Sequence, residues 1–115
     1  MIYNKEVYGD KFTLKCESWS TRNSWGHEVT LYQNGTKIGR VKVRYYNRTW
    51  ESYQYQNAIK SVIFNAMEQI KWVQKKMFLI VNNYKIMTKK REGAFLEFLK
   101  RDYDYSQYNR LYQMF

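Results

Sequence analysis

The stretch WGHEVTLYQNGTKIGRVKVRYY, from Trp25 to Tyr46, decides the fold. Asn34-Gly35 at its centre can take the positive φ angles of a type I′ turn, the tight turn whose twist matches paired strands. On its N-terminal side Trp25, His27, Val29 and Leu31 fall on alternate positions, and on its C-terminal side Arg40, Lys42 and Arg44 alternate with Val41, Val43 and Tyr45. Both runs have the two-residue period of strands. A two-residue turn pairs Gln33 with Thr36 and sets Leu31 against Ile38. Strict alternation would then place Arg40 beside Val29 on the core face. One extra residue restores the phase, so a β-bulge is predicted at Gly39-Arg40, where glycine tolerates it. Val41, Val43 and Tyr45 then join the core face, while Lys42 and Arg44 go to solvent with Tyr46 beside them.

Upstream, Phe12, Leu14 and Cys16 alternate with Thr13, Lys15 and Glu17, which predicts another half-buried strand before a turn at Ser20 to Ser24. Downstream the period becomes helical. Ser52 suits an N-cap, and Ile59, Val62, Ile63, Ala66, Ile70, Val73 and Met77 recur at steps of three and four, a stripe able to cover the sheet. Asn82-Asn83 is the expected stop. Phe95, Leu96, Phe98 and Leu99 indicate a short second helix, and Leu111, Tyr112 and Phe115 a third, after a turn-like Asp102 to Ser106. The expected fold is α+β: a three-stranded antiparallel meander on a long amphipathic helix, followed by one or two short helices. The 115 residues read as a single domain, 1–115.

Charge is distributed unevenly along this frame. The net value is +10, and residues 37–91 hold thirteen of the basic side chains against two acidic ones. Such a concentrated excess draws phosphate-bearing partners. Arg40, Lys42 and Arg44, with Tyr46, Arg48 and Trp50 at the strand-to-helix junction, form the first candidate surface for nucleic acid. Lys75, Lys89, Lys90 and Arg91 form a second, and the sequence leaves open whether the two join. Structural readings stand beside both: a cationic strand keeps neighbours from pairing edge to edge, lysines near a helix C-terminus complement its dipole, and Trp50 can plug the gap between sheet and helix.

Chemistry of other kinds finds little support. Cys16 is the only cysteine and His27 the only histidine, which rules out an intrachain disulfide and multi-cysteine or multi-histidine metal sites. No phosphate-binding glycine loop or hydrolase signature occurs, and the carboxylates show no acid/base spacing, so neither an enzyme nor a cofactor is expected. The longest strongly apolar run, Met77 to Val81, is far below the ~20 residues that span a bilayer. A soluble cytoplasmic protein with no membrane partner is the expectation.

The run Val43-Arg44-Tyr45-Tyr46-Asn47-Arg48-Thr49-Trp50-Glu51-Ser52-Tyr53, followed by Gln54-Tyr55-Gln56 at the start of a helix, resembles small accessory proteins of phages and integrative elements of Gram-positive bacteria. The resemblance implies a role in the host cytoplasm in takeover or counter-defence, including inhibition of CRISPR nucleases, and it transfers no catalytic residue. The expected function is therefore a non-enzymatic accessory protein that binds nucleic acid or a host nucleoprotein complex through a basic face. The alternative is a protein-interaction module that inhibits a host enzyme without touching nucleic acid.

Overall fold

The computed structural model describes residues 1–45, 52–101 and 103–115. Among them the order of elements is β1 (Ile2–Val7), β2 (Asp10–Ser20), β3 (Trp25–Gln33), β4 (Thr36–Tyr45), α1 (Ser52–Val81), α2 (Lys89–Arg101) and α3 (Tyr103–Gln113). The strands pair antiparallel in the order β1-β2-β3-β4, so the fold is α+β with a four-stranded meander in place of the expected three. Two helices follow the long one. The second starts at Tyr103, inside the segment read as a turn.

The additional strand, β1, is disguised twice. Its inward side carries Tyr3, Lys5 and Val7, and the lysine breaks the apolar alternation; its ammonium ends 5.3 Å from the centre of the Phe115 ring, which leaves the aliphatic stem along the core margin. The turn that follows uses Tyr8 and Gly9 at φ 50 and 83, the same values as Asn34 and Gly35 in the β3–β4 turn. Tyrosine at positive φ is uncommon, so this turn sends no signal in sequence. Asp10 ties the two turns to α3. It accepts hydrogen bonds from Asn34 Nδ2 at 2.9 Å and from Gln107 Nε2, and these bonds hold its carboxyl below the ordinary value.

The bulge is present one residue earlier than expected. Leu31 pairs with Gly39 and Tyr32 with Lys37, so Ile38 is the inserted residue. Gly39 does not use a positive φ. It faces α1, and a Cβ placed there would stand 3.4 Å from Val62 Cγ2, an ordinary contact. The phase is restored as predicted: Val29 lies opposite Val41 and His27 opposite Val43, with Tyr45 in register with Trp25.

The inner sheet face buries Phe12, Leu14, Cys16, Val29 and Leu31 against Ile59, Val62 and Ile63 of α1 and Leu111 of α3. The helix begins over Tyr55, stacked on His27, and passes Val62 at Gly39, so it runs antiparallel to β4. Only Thr36, Lys37 and Ile38 precede Gly39 in the strand, roughly 10 Å of sheet, which about seven helical residues cover. The sheet therefore ends near Ile70. The last third of the 30-residue helix projects beyond it, and Val73 and Met77, expected to cover the sheet, are exposed. Phe78 turns to the other side and forms a second small core with Phe95 and Leu99 of α2. The helix stops at the predicted asparagines. Asn83, at φ 57, lets its own N–H bond the carbonyl of Ile80 and the Tyr84 N–H bond that of Leu79, a Schellman cap. The proposed Ser52 cap and Trp50 plug lie outside the described side chains.

Candidate nucleic-acid interface

With the helices on one side of the sheet, the other side is open, and the register assigns its residues. Arg40, Lys42 and Arg44 of β4 stand there beside Thr30, Glu28 and Gly26 of β3, and Glu17 and Trp19 of β2 continue the same rows. Three cations read from the sequence are thus brought together, all exposed.

Their environments differ. Arg40 Nη1 lies 3.5 Å from Glu28 Oε1, so part of its charge is already answered. Lys42 and Arg44 have no ion pair among the described residues; instead Lys42 Nζ sits 4.5 Å and the Arg44 guanidinium carbon 5.7 Å from the centre of the Trp19 ring. The indole lies against Gly26, where an added Cβ would meet Trp19 Cζ2 at 2.8 Å and the Val43 carbonyl oxygen at 1.9 Å. Only glycine makes that seat. The Trp19 Nε1 atom is buried without a hydrogen-bond partner among the described residues.

Trp19 was not singled out from the sequence, although the signal existed. Phe12, Leu14 and Cys16 point inward, so continuing the alternation through Ser18 sends Trp19 outward, and Gly26 is its neighbour once Ser20 pairs with Trp25. Towards β1 the face is closer to neutral, because Lys15 Nζ lies 3.0 Å from Glu17 Oε1 and that pair raises the lysine's pKa. Positive potential is therefore concentrated at β4, which is an edge strand.

The second basic cluster is elsewhere. Lys75 is on α1 beyond the sheet, and Lys89, Lys90 and Arg91 open α2, so this group belongs to the helical layer and to the far end of a helix ~45 Å long. It does not continue the β4 surface. The dipole explanation also fails for Lys89, Lys90 and Arg91, which occupy the first turn of α2, the positive end, while the last turn of α1 contains no basic residue. Arg91 has a local task, with Nη1 donating to the Ile86 carbonyl at 2.8 Å and its guanidinium 4.0 Å from the Tyr84 ring centre. Tyr46, Arg48 and Trp50 lie outside the described residues.

Cys16 and His27 are both inward but do not form a nucleophilic pair. Cys16 lies opposite Val29, no hydrogen bond joins it to His27, and burial pushes its thiol up, away from thiolate. His27 stacks on Tyr55 at 3.7 Å with Ser18 Oγ 3.4 Å from Nδ1, and burial lowers its pKa. Among the described residues no group of three or more His, Cys, Asp or Glu side chains could hold a metal ion, and no helix is long and apolar enough to cross a membrane. No protein-family model, curated protein or solved structure matches the chain.

Proposed function

We propose that the chain binds single-stranded nucleic acid, free or within a host nucleoprotein, across the open face of β3 and β4, and that it acts by occupancy rather than by catalysis. The observation that carries this reading is the cluster of Trp19, Lys42 and Arg44 on Gly26. Lys42 lies over the half-buried Trp19 ring with Arg44 close by, so a base that displaces the lysine gains a stacking surface and its phosphates a counter-charge, the pairing that open-faced single-strand readers use. A cationic guard on an edge strand explains Arg40, Lys42 and Arg44 equally well, but it gives no reason for a tryptophan seated between them on a strand two positions away. The resemblance to phage accessory proteins suggests the biological use: a basic face of this kind competes for the guide or target strand of a host nuclease.

The test is fluorescence anisotropy of a labelled single-stranded oligonucleotide of about twelve residues. Trp19→Ala weakens binding by roughly tenfold, near the centre of the ~1–3 kcal/mol that one base–aromatic stack contributes. Trp72→Ala, on the helical layer, leaves it unchanged. Equal affinity of Trp19→Ala and the unaltered protein would remove the stacking part of the reading.

A further inference from the structure

The exposed end of α1 is the continuation of a coiled-coil seam. Ile59, Ile63, Ala66, Ile70, Val73, Met77 and Ile80 follow one another at alternating steps of four and three, the spacing of a and d positions. The first four bury against the sheet or pack beside it. Val73, Met77 and Ile80 carry the same row past the sheet edge, where they are 48%, 57% and 74% exposed. An open groove of about 560 Å³ runs beneath this part of the helix, walled by Ile38 from the bulge and Tyr108 from α3.

We infer that this seam and groove form a docking site for an acidic amphipathic helix of a partner protein, separate from the open sheet face. A row of a and d side chains is shaped to receive a second helix, with knobs entering the spaces between Val73, Met77 and Ile80. Charge selects the kind of helix. From Lys71 to Val81 α1 contains no acidic residue, and Lys76 takes the seam-flanking position beside Met77, while Lys71 and Lys75 line the α2 side of the helix with Glu68 and Glu92. A partner with glutamates on its flanks pairs with Lys76 and is drawn by the chain's net charge of +10, whereas a second copy of this chain would oppose that charge with its own. Gln74 adds a further mark: it lines the groove, is only 8% exposed, and its Oε1 atom has no hydrogen-bond partner among the described residues. An incoming side-chain N–H satisfies it.

The test uses the full chain and a labelled three-heptad peptide with leucine at a and d and glutamate at e and g, beside a twin with lysine at e and g. The expected result is saturable binding of the acidic peptide, no binding of the basic twin, and at least ~tenfold weakening by Met77→Ala with Ile80→Ala, the loss usual for central interface anchors. Both residues are exposed, so circular dichroism of the variant should match that of the unaltered chain. Phosphatidylserine vesicles and sedimentation of the protein alone complete the set. Binding to vesicles but not to the acidic peptide, self-association through Met77, equal binding of the two peptides, or binding of neither overturns the proposal. Lys42→Gln with Arg44→Gln leaves peptide binding intact, so its failure is distinct from failure of the nucleic-acid reading.

Discussion

Replacing Lys42 and Arg44 together by glutamine tests the sheet face most directly. Both side chains are exposed and neither takes part in an ion pair among the described residues, so the fold is unaffected beyond the loss of two contacts to the Trp19 ring. Surface contacts of that kind are worth about 0.5–1 kcal/mol each. The effect on binding is larger and has a characteristic dependence. Each cation that neutralises one phosphate of a single strand contributes ~0.7 to the slope of log affinity against log salt, so the double variant loses about 1.4 from that slope. Between 50 and 200 mM salt the advantage of the unaltered protein over the variant then shrinks about sevenfold, whatever other contacts the two share. Anisotropy titrations at four salt concentrations measure this, with circular dichroism to confirm folding. A ratio of affinities that stays constant across the salt series would show that Lys42 and Arg44 touch no phosphate, and the reasoning from register to function would be refuted.

Glu28→Gln should tighten oligonucleotide binding and add up to ~0.7 to the same slope, because it releases Arg40 from its 3.5 Å partner; the pair is solvent-accessible, so thermal stability changes by less than about 0.5 kcal/mol. Gly26→Ala should destabilise by about 3 kcal/mol or more, seen as a fall in Tm of roughly 10 °C or more, because its Cβ would stand 1.9 Å from the Val43 carbonyl oxygen. Gly39→Ala should cost less than ~1 kcal/mol, since its Cβ meets Val62 at an ordinary contact distance; similar losses at the two glycines would contradict the seat described for Trp19. His27 should make stability fall as the solution is acidified. Its folded pKa lies below 6.5, so between that folded value and 6.5 the unfolded chain binds a proton that the native chain does not, and stability declines as pH drops through this window by at most ~1.4 kcal/mol per unit. Urea titrations from pH 7.5 to 5 should show the decline, and His27→Phe should flatten it. Asp10 acts lower: its depressed pKa supplies stability above about 3.8 that is lost as pH falls through the folded value.

The hairpin from Trp25 to Tyr45 was legible because two independent signals, the Asn34-Gly35 turn and the alternation on either side, are consistent only if one residue is inserted. That arithmetic located the faces of Val41, Lys42, Val43 and Arg44 even though the bulge falls at Ile38 rather than at Gly39-Arg40. The end of α1 was legible for a similar reason, since asparagine is among the few residues that enter the left-handed region easily. What stayed hidden depended on tertiary partners. Lys5 looks polar until Phe115 is placed beside it, and Tyr8 betrays no turn. Val73 and Met77 read as core because periodicity reports a face and not the length of sheet beneath it. Trp19 acquires meaning only from Gly26 and Lys42, residues on two other strands.

The helical layer poses a separate physical question. Lys89 and Lys90 sit where a helix dipole disfavours cations by about 0.3–1 kcal/mol each, and Glu92 offsets only part of that. Arg91 has a structural reason to be there through Ile86 and Tyr84; Lys89 and Lys90 make no ion pair among the described residues. Folding stability therefore does not account for them, whereas a polyanionic partner near the α1–α2 connection would. Nucleic acid and an acidic helix both meet that description, but they respond differently to salt. Counterion release makes phosphate binding fall steeply with ionic strength, while burial of Val73, Met77 and Ile80 is apolar and persists. Lys89→Gln with Lys90→Gln should consequently weaken oligonucleotide binding if one strand wraps from β4 to the helices. If instead the variant alters only the low-salt part of acidic-peptide binding and leaves a salt-resistant remainder, the two surfaces serve two partners, and the sheet between them keeps those partners apart.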